Sequence, residues 1–412
     1  MNIYGIIILS ALIIDYAIDI ITDILNIKAM KTDIPDEFEG VYDPDTYKKS
    51  QEYTKVRTKF GLIESTFDLT VLLIFWFSGG FNYLDTIVKG WELHPVWTGL
   101  TYIAVLILIK TVLGLPFSIY STFVIEERFE FNKTTPKTFI TDMLKGLMLA
   151  VLIGGPLLAG VLAFFQFAGN LAWLYCWLVT IVFTLFIQFI APTWIMPLFN
   201  KFTPIEDGEL KDSIFKYAGS VKFPLTGLFV MDGSKRSTKS NAFFTGFGKN
   251  KRIALFDTLI ERHTVKELVS VIAHEVGHYK KKHILKGIVI SIAHTGIVFY
   301  LLSIFLSHEG LFNAFYMDSL AIYTGLIFFG MLYSPIEMFL SIFMHIFSRR
   351  NEYEADNFAV TTTGDGGEPM IDALKKLSKH NLSNLTPHPL NVFLNYSHPP
   401  VLQRIGIIRK IK

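Results

Sequence analysis

The sequence predicts an α-helical polytopic membrane protein with seven transmembrane helices and two sizeable polar regions. Hydrophobic residues make up 51 % of the 412, mean hydropathy is +0.41 and charged residues reach only 18 %, below the quarter usual in soluble domains. Seven apolar stretches approach or exceed the ~20 residues that a helix needs to cross the hydrocarbon core. The polar residues between them are concentrated in two segments, which carry nearly all the chemistry.

The spans fall near 3–25, 61–79, 99–120, 144–166, 171–191, 287–306 and 320–347. This divides the chain into five spans with their loops over 1–199, a polar region over 200–284, two spans over 285–347 and a polar tail over 348–412. Met1 to Ile14 lacks a basic leader and a small-residue cleavage site, so it reads as a retained span and not as a signal peptide. The loop 26–60 is rich in Lys and Arg, 80–98 holds only Lys89, 121–143 holds Arg128, Lys133 and Lys137, and 167–170 and 307–319 hold none. Positive residues stay on the cytosolic side. The alternation therefore predicts an N-terminus outside, a C-terminus in the cytosol, and both polar regions facing the cytosol.

A formal charge of +2 without a separate basic stripe argues against a nucleic-acid partner; the expected surroundings are the lipid bilayer. The single cysteine, Cys176, lies in an apolar stretch, so metal ligation would fall to histidines and carboxylates. Asp15, Asp19 and Asp23 recur every four residues on the first helix, and Glu64 and Asp68 repeat the spacing on the second. Lys110, Glu337 and His345 add ionisable groups in later spans. Such stripes need partners or water; the preferred reading is a water-filled space enclosed by the helices, the other a set of inter-helix ion pairs.

The second polar region opens its last helix with Thr264-Val-Lys-Glu267, a capping box, and Leu268, Val271, Ile272 and Val276 continue a helical apolar pattern. About three turns in comes His274-Glu-Val-Gly-His278. Two histidines four apart lie one above the other, so both can reach one Zn²⁺ while Glu275 points to its open position. A catalytic site needs a third protein ligand. Glu352 and Asp356, four apart just after the seventh span, offer one carboxylate for the metal and one to orient a ligating histidine. Spacing favours Glu352 over Glu354 without settling it. In that site Glu275 would act as general base. His398, in Tyr396-Ser-His-Pro-Pro400, and Arg404 are candidate donors to the developing oxyanion. Gly227-Leu-Phe-Val-Met-Asp232 reads as a strand. Asn241-Ala-Phe-Phe, Gly248-Lys-Asn250 and Arg252-Ile-Ala-Leu-Phe256 read as a hairpin, whose edge could pair with substrate backbone beside Asn241.

These motifs resemble those of the type I CAAX prenyl protease family of integral-membrane zinc metalloendopeptidases. The resemblance rests on Glu126-Glu-Arg-Phe-Glu-Phe-Asn-Lys-Thr134, Asp232-Gly-Ser-Lys-Arg-Ser-Thr-Lys-Ser-Asn-Ala242, His274-Glu-Val-Gly-His278, Asn351-Glu-Tyr-Glu-Ala-Asp356 and Tyr396-Ser-His-Pro-Pro400. It implies seven helices around a large chamber and a gluzincin-like cytosolic protease region with a small β-hairpin or sheet. It also implies one Zn²⁺ per chain on His274, His278 and Glu352, with Asp356 behind them. His398 and Arg404 would then assist at the oxyanion and its surroundings, and Asn241 would hold a peptide or the C-terminus of a prenylated protein. Two departures stand out. Lys239 occupies a position where eukaryotic members carry histidine, and the terminal Arg409-Lys-Ile-Lys412 is not a dilysine retrieval signal. Together with Ile- and Lys-rich usage, this favours a bacterial cytoplasmic membrane, or the endoplasmic reticulum membrane in a eukaryotic host.

A membrane quality-control zinc protease would have fewer spans, and a site-2-type protease would carry its motif inside a span, whereas His274 precedes the sixth. A transporter or channel accounts for the intramembrane charges but leaves the zinc motif unexplained.

Overall fold

The computed structural model describes residues 1–245 and 251–411. Among them, seven helices are long and apolar enough to cross a membrane: Ile3–Ala29, Pro44–Phe77, Pro95–Glu126, Pro136–Phe167, Gly169–Leu198, His283–Phe305 and Ile322–Thr363. Each matches an expected span, but several outrun it. The second starts at Pro44 because Asp43 accepts a hydrogen bond from the Thr46 amide and a proline occupies the first turn. The seventh, expected to give way to a separate tail at 348, runs on to Thr363 and stops at Gly364, which takes φ 71°. Hydropathy marks where the membrane ends; caps and glycines mark where the helix ends.

Only 6–17 % of the most apolar stretch of each span is buried against the rest of the chain, so most of the surface of each span faces lipid or the gaps between helices. A cavity of about 830 Å³ opens between the first and seventh spans, lined by Asp15, Asp19, Tyr333 and Glu337. Glu337 lies 3.1 Å from His294, so one of the two expected arrangements holds locally. Asp15, Asp19, Glu64 and Asp68 are instead exposed.

Loops meet in two groups. At one end Asn82 donates to Asp318 (2.7 Å) and Lys89 to Ser319 (2.5 Å), joining the second and sixth inter-span loops. At the other, Lys49 pairs with Glu130 (2.6 Å), Arg236 with Asp142 (2.7 Å), and the His388 amide donates to Asn26 (3.1 Å). The polar regions gather at this second end.

There a four-stranded sheet has the order β1-β2-β4-β3, with β1 Phe202–Pro204, β2 Leu225–Met231, β3 Ala242–Thr245 and β4 Lys251–Phe256. The β3–β4 hairpin is antiparallel as expected, but β2 pairs with β4 in parallel, a pairing that a hairpin pattern cannot reveal because it needs a crossover. Gly248-Lys-Asn250 lies outside the described residues. Ile253, Ala254 and Leu255 are buried in succession, the mark of a strand covered on both faces. Ile253, Leu255 and Leu259 pack with Leu268, Ile272, Ala273 and Val276 of the helix Val265–Lys280, and this core fixes the motif's orientation.

The crossover 232–241 ties the sheet to the membrane helices. Lys133 N donates to Arg236 O (3.0 Å) and Thr238 N to Phe131 O (3.1 Å). Lys239 Nζ donates to Tyr53 Oη (2.7 Å) and Glu126 Oε2 (3.0 Å), and sits 4.4 Å from the Phe131 ring centroid, a cation–π contact.

Candidate metal centre and active site

The motif helix begins with the expected capping box: Thr264 N donates to Glu267 Oε2 (3.0 Å) and Glu267 N to Thr264 Oγ1 (3.4 Å). It crosses the extension of the seventh span at Gly277, where an added Cβ would stand 3.1 Å from both the Cα and the carbonyl oxygen of Ala355. That close approach carries Glu352 over the two histidines.

His274 Nε2 and His278 Nε2 are 3.1 Å apart, and Glu352 places Oε2 3.4 Å from the first and Oε1 3.2 Å from the second. Glu352 Oε2 is buried without a hydrogen-bond partner, and such an orphan calls for an unseen partner. A tetrahedral ion with bonds of about 2.0–2.1 Å separates its ligand atoms by about 3.3 Å, so the three side chains fit a divalent metal. Charge agrees with geometry. Burial alone would lower the His274 pKa, yet Asp356 and Glu352 raise it to about 9; the field that favours an imidazolium here also favours a cation.

Behind His274, Nδ1 lies 2.8 Å from Asp356 Oδ1, and Arg404 grips both oxygens of Asp356, from Nε at 2.8 Å and Nη2 at 2.6 Å. Arg404 thus makes its shortest contacts with Asp356, while its Nη1 is 3.6 Å from Glu352. Its side chain is only 11 % exposed. His398 is different: it is largely exposed, with Nε2 3.5 Å from Glu352 Oε1 and Nδ1 3.0 Å from Ser397 Oγ.

A cavity of about 400 Å³ is lined by Asn241, His274, Glu275, His278, Glu352 and His398, among others. All the sequence-predicted site residues except Asp356 line it; Asp356 stands behind His274. Burial pushes the Glu275 carboxyl above its usual range, with the Glu352 charge adding to it against the two histidines and Arg404. That is the direction a carboxyl needs to exchange protons near neutrality. Asn241 is exposed and bonds its own neighbour, Oδ1 accepting from the Ala242 amide at 2.8 Å, at the start of the edge strand β3.

Two placements lie beyond the sequence reading. Glu354, on another face from Glu352, reaches His283, and His283 reaches His278. A third histidine five residues after the motif was the available signal. Lys239 points into the Tyr53–Glu126–Phe131 cage, so the histidine-to-lysine departure falls on the attachment to the membrane helices.

A polytopic membrane metalloprotease is the class that seven apolar helices and a His-His-carboxylate site next to a glutamate define. A profile described as "CAAX prenyl protease N-terminal, five membrane helices" matches residues 23–201, and one for peptidase family M48 matches 204–412. The chain belongs to peptidase family M48. It is 36 % identical to CAAX prenyl protease 1 of Saccharomyces cerevisiae, covering 92 % of this chain and 89 % of that one. It is 35 % identical to the CAAX prenyl protease 1 homolog of Arabidopsis thaliana (96 % and 95 %). The crystal structure of S. mikatae Ste24p superposes with a TM-score of 0.93 at 34 % identity, over 99 % of each chain.

Proposed function

We propose that this chain is a zinc-dependent endopeptidase that cleaves near the C-terminus of prenylated CAAX-type proteins or peptides. The observation that carries the reading is the convergence of His274, His278 and Glu352 within 3.1–3.4 Å beside Glu275. Relatives named CAAX prenyl protease 1 over nine-tenths of the chain support the substrate class.

His274, His278 and Glu352 would hold one Zn²⁺ per chain, which when bound acidifies a water and polarises the scissile carbonyl. The Glu275 carboxylate accepts the proton from the attacking water and delivers it to the leaving amine. Asp356 accepts from His274 Nδ1–H and so keeps Nε2 free as a ligand, while Arg404 holds Asp356 ionised and in place. His398, exposed at the rim, donates toward the developing oxyanion. Asn241 and the edge of β3 hold the peptide extended.

Loop charge supports a cytosolic site and an outside N-terminus, because the Lys- and Arg-rich loops share the end that carries the protease region. The membrane is read from composition as a bacterial cytoplasmic one, or the endoplasmic reticulum membrane in a eukaryotic host. To test the substrate class, the purified chain is given farnesylated and unmodified peptides of one sequence, with and without a chelator. Faster, chelator-sensitive cleavage of the farnesylated peptide supports it; equal rates point to a general peptidase.

A further inference from the structure

The two imidazoles of the metal site are oriented differently. Asp356 serves His274, but among the described residues no carboxylate touches the outer nitrogen of His278. That nitrogen, Nδ1, lies 3.0 Å from Nδ1 of His283, whose own Nε2 lies 3.2 Å from Glu354 Oε2. Both contacts can be satisfied together in one tautomeric arrangement. His278 turns Nε2 to Glu352 and His274, so its proton sits on Nδ1 and is donated to His283. His283 then accepts at Nδ1, which puts its proton on Nε2, aimed at Glu354. Glu354 also accepts from Arg350 Nε at 3.3 Å. The His283 side chain is only 4 % exposed, and a buried imidazole with both nitrogens committed is fixed in rotation.

The geometry points to His283 as a positioning residue that fixes the tautomer and orientation of His278 through a His278–His283–Glu354 relay. The backbone supports this placement. The motif helix ends at Lys280, and Lys282 adopts φ 59°, a left-handed conformation that a lysine takes at a cost. This turn folds His283, the first residue of the sixth span, back beneath His278. Glu354 comes from the extension of the seventh. Three elements therefore meet in one relay, so the second metal-facing histidine is held by the membrane helices as well as by its own.

The inference rests on His274, His278 and Glu352 being zinc ligands, and the test separates the two. Zinc affinity of the full-length chain in detergent is measured by chelator competition, alongside the melting temperature of the metal-free form. Wild type should bind one Zn²⁺; failure to do so would overturn the ligand assignment itself. His283→Phe, which keeps a ring but removes the acceptor, should bind Zn²⁺ about 10–100-fold more weakly while the metal-free form stays folded with a melting temperature lowered by the lost buried hydrogen bonds. His283→Asn, whose Oδ1 stands where Nδ1 stood, should recover most of the affinity. Glu354→Leu alters a partly exposed side chain and should weaken binding about 10-fold even if the phenylalanine variant does not fold. Wild-type affinity in Glu354→Leu, or in a folded His283→Phe, would overturn the relay.

Discussion

His274 Nδ1 and Asp356 Oδ1 lie 2.8 Å apart, and Arg404 grips both oxygens of the same carboxylate. Asp356 is buried, at 1 % side-chain exposure. Removing one partner of a buried pair leaves an uncompensated charge, at a cost of about 3–5 kcal/mol. Arg404→Leu should lower the melting temperature sharply and weaken metal binding, and Arg404→Lys should recover only part, because an ammonium cannot reproduce the guanidinium fork. Thermal unfolding in detergent checks this; an Arg404→Leu variant as stable as wild type would refute the coupling.

Chelation should abolish hydrolysis while leaving far-UV circular dichroism intact, and added Zn²⁺ should restore it. The metal fills a local site, and the apolar core of Ile253, Leu255 and Ile272 includes none of its ligands. Glu352→Gln should bind Zn²⁺ more weakly, read by metal analysis after dialysis, since a neutral amide replaces the charged ligand. Retention of full zinc content would remove Glu352 from the ligand set.

Lys239 ties the crossover to the second and third spans through Tyr53 and Glu126. Lys239→Met should destabilise the chain by about 1.5–3 kcal/mol, as expected for a lost charged hydrogen bond, and leave KM for a peptide substrate unchanged. A raised KM with unaltered stability would place Lys239 in substrate binding instead.

Asp15 and Asp19 line the cavity between the first and seventh spans. A cysteine placed at position 19, in a chain whose Cys176 has been replaced, should react with a membrane-impermeant, water-soluble maleimide. Complete protection would mean that the acidic stripe faces protein or lipid.

Much of the site was legible because its chemistry is local. The capping box at Thr264, the four-residue spacings of His274 with His278 and of Glu352 with Asp356, and the apolar runs all follow helical periodicity. What escaped was tertiary. The parallel pairing of β2 with β4 joins segments that no short-range pattern links, and the extension of the seventh helix to Thr363 depends on the absence of a breaker after Phe347. His283 looked like an ordinary residue at a span's start until the turn at Lys282 brought it under His278. Arg404 showed as a positive group near the oxyanion; only the fold gives it Asp356 as its closest partner.

The central claim is that Glu275 moves the proton in a zinc site built by His274, His278 and Glu352. Glu275→Gln changes one atom at the cavity wall and should keep the fold and one Zn²⁺ per chain while peptide hydrolysis falls by roughly 10²–10⁴-fold. Parallel measurement of zinc content and of cleavage of a farnesylated CAAX peptide by the two proteins decides it: full zinc with lost turnover is the predicted result, and full zinc with wild-type turnover would contradict the account.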